Sequence, residues 1–61
     1  MIAYYFISVV FHVHSHKEYA SMIYTARYSD SERAFNEAKE KIQSGFRAPN
    51  YNMQVLAFNK V

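Results

Sequence analysis

The sequence predicts an α+β domain of order β-β-α-β. Its three-stranded antiparallel sheet takes the strand order 2-1-3, and one helix packs on one face. Three observations carry this. An uncharged run rich in β-branched and aromatic residues opens the chain. A capped amphipathic segment follows near residues 29–44. The single glycine and single proline both fall between that segment and a final apolar stretch.

From Ile2 to Val13 the chain reads Ile-Ala-Tyr-Tyr-Phe-Ile-Ser-Val-Val-Phe-His-Val, without charge, glycine or proline. Ile2, Ile7, Val9, Val10 and Val13 lose side-chain freedom in a helix and fit a pleated surface. Successive strand residues point to opposite faces. Ala3, Tyr5, Ile7, Val9, Phe11 and Val13 then share one face, and Ile2, Tyr4, Phe6, Ser8, Val10 and His12 the other. Both faces are mostly apolar, whereas a strand covered on one side only alternates apolar with polar. A charge-free strand of this length is a hazard at a sheet edge, so it belongs at the centre.

The polar stretch His14-Ser15-His16-Lys17-Glu18 reads as a hairpin loop. Tyr19 to Tyr28 reads as a second strand, with Met22, Tyr24, Ala26 and Tyr28 on one face and Tyr19, Ser21, Ile23, Thr25 and Arg27 on the other. Its softer alternation, with Lys17, Glu18 and Arg27 nearby, suits an edge.

Ser29 and Glu32 have the spacing of a capping box. A helix to about Ser44 places Ala34, Phe35, Ala38 and Ile42 on one stripe and Arg33, Asn36, Glu37, Glu40 and Gln43 opposite. Glu37 and Lys41 are spaced as a favourable i,i+4 pair. Gly45 is expected at the left-handed C′ position, with Phe46 folding back on the last turn. Arg47 to Asn52 reads as a loop around Pro49. Met53 to Lys60 reads as a third strand, with Gln54, Leu56, Phe58 and Lys60 on one face and Met53, Val55, Ala57 and Asn59 on the other. Placing this strand beside the first gives the order 2-1-3 and a right-handed crossover.

A chain of 61 residues suffices for a single domain spanning 1–61. With no cysteine, disulfides, thiolate metal sites and cysteine nucleophiles are excluded, and a reducing, cytoplasmic setting is expected. The opening run is shorter than the roughly 20 apolar residues of a membrane-spanning helix. It also lacks the flanks of a signal peptide. Half of the residues are hydrophobic, 51%, which argues against disorder. A net charge of +2 permits contact with nucleic acid but is far from a polybasic signature.

One helix covers one face. The other is expected to show an apolar patch built from Tyr4, Phe6, Val10, Ile23 and Val55, with Ala57 beside them. Such patches mark interfaces. The reading is a small binding protein acting through protein–protein contact as a homodimer, sheet against sheet about a two-fold axis. The alternative is a nucleic-acid-binding module using Tyr19, Arg27, Arg47 and Lys60 with the sheet aromatics. A third reading is metal binding by His12, His14 and His16, since His12 and His14 on one strand point the same way about 6.5–7 Å apart. No cofactor is implied. The chain has no Gly-rich phosphate loop, no Gly-x-Ser-x-Gly elbow and no paired acids outside the helix, so no catalytic residue is assigned.

Overall fold

The computed structural model describes residues 2–45 and 52–61. Within them the chain forms β1 (Ala3–Val13), β2 (His16–Ala26), α1 (Ser31–Gly45) and β3 (Asn52–Lys60). The sheet order is β2-β1-β3, and both pairings of β1 are antiparallel. The two-sided apolar strand is therefore central, as its composition requires.

The hairpin is tighter than the sequence suggests. Val13 pairs with His16, so the turn is His14-Ser15 and β2 begins three residues before Tyr19. His14 has φ 50°, the only positive φ at a described non-glycine residue. Positive φ at the first central residue matches the type II′ connection, whose twist suits antiparallel strands. The polar residues His16, Lys17 and Glu18 extend the ladder, because an edge strand can keep such side chains in water.

The helix is capped by Asp30, not Ser29. Asp30 Oδ1 accepts from the Glu32 and Arg33 N–H groups at 3.1 and 3.2 Å. The Ala34 N–H donates to the Asp30 carbonyl at 3.0 Å, closing the first turn. Asp-Ser-Glu thus uses the aspartate, whose shorter reach to the N2 and N3 donors satisfies two of the helix's orphan groups. At the other end Gly45 lies inside α1 without positive φ, so it is not a left-handed C′ residue. Phe46, Arg47 and the expected loop to residue 51 lie outside the described residues.

The core lies between α1 and one face of the sheet. Ala3, Tyr5, Ile7, Val9, Phe11 and Val13 are all buried there, with Ala34, Ala38 and Ile42 of the helix. Small helix residues let α1 approach the sheet closely. The bulk comes from the strands: Phe58 stacks on Tyr5 at 5.1 Å between centroids, and Phe35 meets Phe58 edge-on at 4.9 Å.

β3 departs from strict alternation. Ser8 faces Ala57 and Val9 faces Val55, leaving Leu56 as the extra residue of a β-bulge. The bulge resets the pleat. Met53, Val55 and Phe58 all reach the helix side and pack on the core. Without it, Phe58 and Val55 would point to opposite faces.

Candidate interaction face

The register defines the open face row by row. Thr25, Tyr4 and Val61 form the first row, the Val61 N–H donating to the Tyr4 carbonyl at 2.9 Å. Ile23, Phe6 and Asn59 follow, then Ser21, Ser8 and Ala57. Tyr19, Val10 and Gln54 come next, and Lys17, His12 and Asn52 end the face beside the hairpin turn. Nothing in the described chain covers it. Tyr4 is 48% exposed, Ile23 51% and Tyr19 69%.

Of the residues expected here, Tyr4, Phe6 and Ile23 lie on this face. Val55 does not: the bulge turns it to the helix side, where it packs on the core. Val10 has the right orientation but is only 3% exposed, screened by its row neighbours Tyr19 and Gln54. Leu56, the unpaired residue of the bulge, is exposed, and a bulge leaves no composition mark in Val-Leu-Ala-Phe.

Charge on the open face is confined to its margins. Lys17, the second residue of β2, stands at one extreme, and Arg27 follows the strand beyond the other. No Asp or Glu side chain lies on this face among the described residues. Glu18 pairs with buried Phe11 and so points to the helix side, and the other acids, Asp30, Glu32, Glu37 and Glu40, belong to α1 or its cap.

The three histidines are not gathered. His12 is on the open face, His14 occupies the turn, and His16, paired with Val13, is on the opposite face, its Nε2 3.3 Å from Glu18 Oε1. No group of three or more potential metal-ligating side chains occurs among the described residues. Leaving the strand at His14 breaks the alternation that would align it with His12. The nucleic-acid set is also divided. Tyr19 belongs to the open side, Arg27 lies just beyond the last paired residue of β2, Lys60 pairs with Tyr5 on the helix side, and Arg47 is outside the described residues.

The strongest polar cluster lies across the helix side. Glu37 does not pair with Lys41. Its Oε1 accepts from the Tyr24 hydroxyl at 2.7 Å and from the Tyr28 hydroxyl, and its Oε2 accepts from Arg33 Nε at 3.3 Å. The Arg33 guanidinium also sits 4.1 Å from the Tyr28 ring centroid, a cation–π distance. These donors hold the Glu37 carboxyl below its ordinary 4.5, the Tyr28 hydroxyl contributing most. The Tyr24 phenol is raised chiefly by its bond to Glu37, and the Tyr28 phenol chiefly by lost hydration. The cluster ties α1 to the end of β2. It contains no nucleophile or base free to act on a substrate, since each member is already committed.

The hollows flanking the helix are shallow, lined for example by Asp30, Glu32, Arg33, Asn36 and Glu37. No helix among the described residues is long and apolar enough to cross a membrane. Comparison of the chain with protein-family models, curated proteins and solved structures gives no match.

Proposed function

We propose that the chain acts by binding protein, and that its partner on the open face is a second copy of itself. One observation carries this reading: the central strand is mostly apolar on both sides, and the described residues supply a cover for only one. Exposed Tyr4 and Ile23 with half-buried Phe6 and Ala57 make an apolar surface on this face, and such surfaces on small domains mark contact sites.

Size and charge favour self-contact. Strands of nine to eleven residues, three abreast, give a flat footprint of roughly 400 Å² and a larger accessible area. Two such faces together remove on the order of 1,000 Å² from water, the level a specific interface needs. The interior rows are uncharged, so two copies meet without opposing like charges, and Lys17 and Arg27 remain at the margins where their ends reach water.

Single-stranded nucleic acid is the second reading. Tyr4, Tyr19 and Lys17 share the open side, and no acidic side chain lies there among the described residues. Stacking aromatics beside cations bind such strands. Self-contact ranks first because the middle rows carry no cation and include Ile23, Phe6, Ala57 and Val10.

Light scattering over micromolar concentrations tests the proposal. Wild type is expected at twice the mass of one chain, and Phe6→Asp at the mass of one chain with its circular dichroism retained. A wild-type monomer throughout overturns the proposal. Salt-dependent binding of an oligonucleotide by that monomer would transfer the face to the second reading.

A further inference from the structure

We infer that the free edge of β2 binds an extended segment of another protein by strand addition, and that this segment is uncharged in its middle and acidic at its ends. The inference goes beyond the self-contact proposed above and uses a different surface. In this mode the main chain of the edge supplies affinity, and alternate side chains supply specificity.

The register identifies the groups on offer. Tyr4 turns its carbonyl to Val61, just past β3, so its other partner Thr25 directs its own N–H and carbonyl away from β1. Bonded and non-bonded pairs alternate along an antiparallel ladder, so Tyr19, Ser21 and Ile23 point theirs outward as well. No hydrogen bond from the described residues reaches these groups. The two edges of the sheet differ. β3 is interrupted by its bulge, a device that discourages further pairing. β2 keeps its register with β1 along its whole length, and from Tyr19 to Ala26 it has no charge, glycine or proline. On the helix side this edge opens onto a largely apolar hollow lined by Ala20, Met22, Lys41, Ile42 and Gly45. An added strand sends every second side chain to that side.

Charge selects the occupant. Exposed Lys17 and Arg27 flank the uncharged stretch, and the Lys41 ammonium stands 6.0 Å from the Tyr24 ring centroid on the helix side. The nearby acids are engaged, Glu18 with His16 and Glu37 with Tyr24, Tyr28 and Arg33. The β2 edge of a second copy, laid antiparallel, carries Arg27 toward Lys17 at both ends, like charge toward like. A segment with acidic ends meets both cations instead. A second copy seated on the open face leaves the edge free, because the outward donors and acceptors of β2 lie in the plane of the sheet.

NMR titration with a synthetic peptide of alternating valine and threonine, with an aspartate at each end, tests this. The Tyr19, Ser21 and Ile23 amide protons are expected to shift downfield and to exchange more slowly with solvent, while those of Met53 and Phe58 on the β3 edge stay unchanged. Ser21→Pro removes an outward N–H and spares the ladder with β1, and is expected to weaken binding about tenfold. Lys17→Glu combined with Arg27→Glu leaves the main chain intact. It is expected to weaken this peptide about two- to fivefold and to strengthen a lysine-ended version by as much. Phe6→Asp, which removes the self-contact, is expected to bind the peptide as wild type does, so the two readings fail separately. Circular dichroism confirms the fold of each variant. Unchanged amides at Tyr19, Ser21 and Ile23, or equal binding of aspartate- and lysine-ended peptides by wild type, overturns the inference. So does protection of these amides before any peptide is added, which marks a second copy on the edge.

Discussion

On the helix side of the sheet, β1 is sealed: Ile7, Val9 and Phe11 have no exposed surface. On the open side, the same strand presents Tyr4, Phe6 and His12 to water or to whatever covers them. Along β1 both faces are mostly apolar in composition. What separates them is geometry: α1 contributes Ala34, Ala38 and Ile42 to one face, and the β3 bulge sends Met53, Val55 and Phe58 to that same face. Apolar content therefore says that a face is to be covered. Only the arrangement of the remaining elements says which face the chain covers itself.

The largest expected effect separates the two faces directly. Phe11→Ala removes a fully buried ring and is expected to cost about 3–5 kcal/mol, enough to unfold a chain this short at ordinary temperature. Phe6→Ala, five positions earlier on the same strand, is expected to leave the chain folded. It should instead abolish the rise of melting temperature with protein concentration that a dimer displays. Equal losses of stability at the two positions, with no concentration dependence in wild type, would erase the distinction.

Glu37→Gln tests the tie between α1 and β2. Because the folded-state carboxyl is lowered, its contribution is fully present above the unfolded value near 4.5 and is lost as the pH falls through the folded value. The substitution is expected to lower the melting temperature at pH 7 and to flatten its decline below pH 4.5. The phenol of Tyr28 acts in the opposite sense. Its raised value gives stability present below pH 10 and lost above it. Thermal melts across pH read both limbs.

At the start of the helix, Asp30→Ala is expected to cost about 1 kcal/mol, and Ser29→Ala no more than about 0.5 kcal/mol. Urea titration of the pair assigns the cap. The smallest effect is a gain. Gly45 is helical, lacks positive φ, and a methyl there would touch nothing within 4 Å. Gly45→Ala is expected to add about 0.4–1 kcal/mol by the same titration.

The architecture was legible because β1 declares itself on both sides and the helix stripe is regular. The start of β2 was not, because His16, Lys17 and Glu18 are polar yet pair at an edge, where side-chain polarity and strand structure coexist. The bulge was invisible for a different reason. Met53 to Phe58 is apolar at nearly every position, so either parity satisfies it, and contact with Tyr5 and Phe35 decides. That ambiguity misplaced Val55 and concealed Leu56. Glu37 showed only its local i,i+4 options. Its phenol partners come from 13 and 9 residues upstream and meet it only when the helix docks. Ser29 and Asp30 are both competent caps, and the entry angle of the chain chooses between them.

The most direct measurement is an isotope-filtered NOE experiment on a mixture of labelled and unlabelled chains. Expected are contacts between chains from the Ile23 methyls, and none from Ile7 or Val9, which are buried on the helix side. Intermolecular contacts absent from Ile23, at concentrations where the chain is folded, would contradict the claim that a second copy covers the open face.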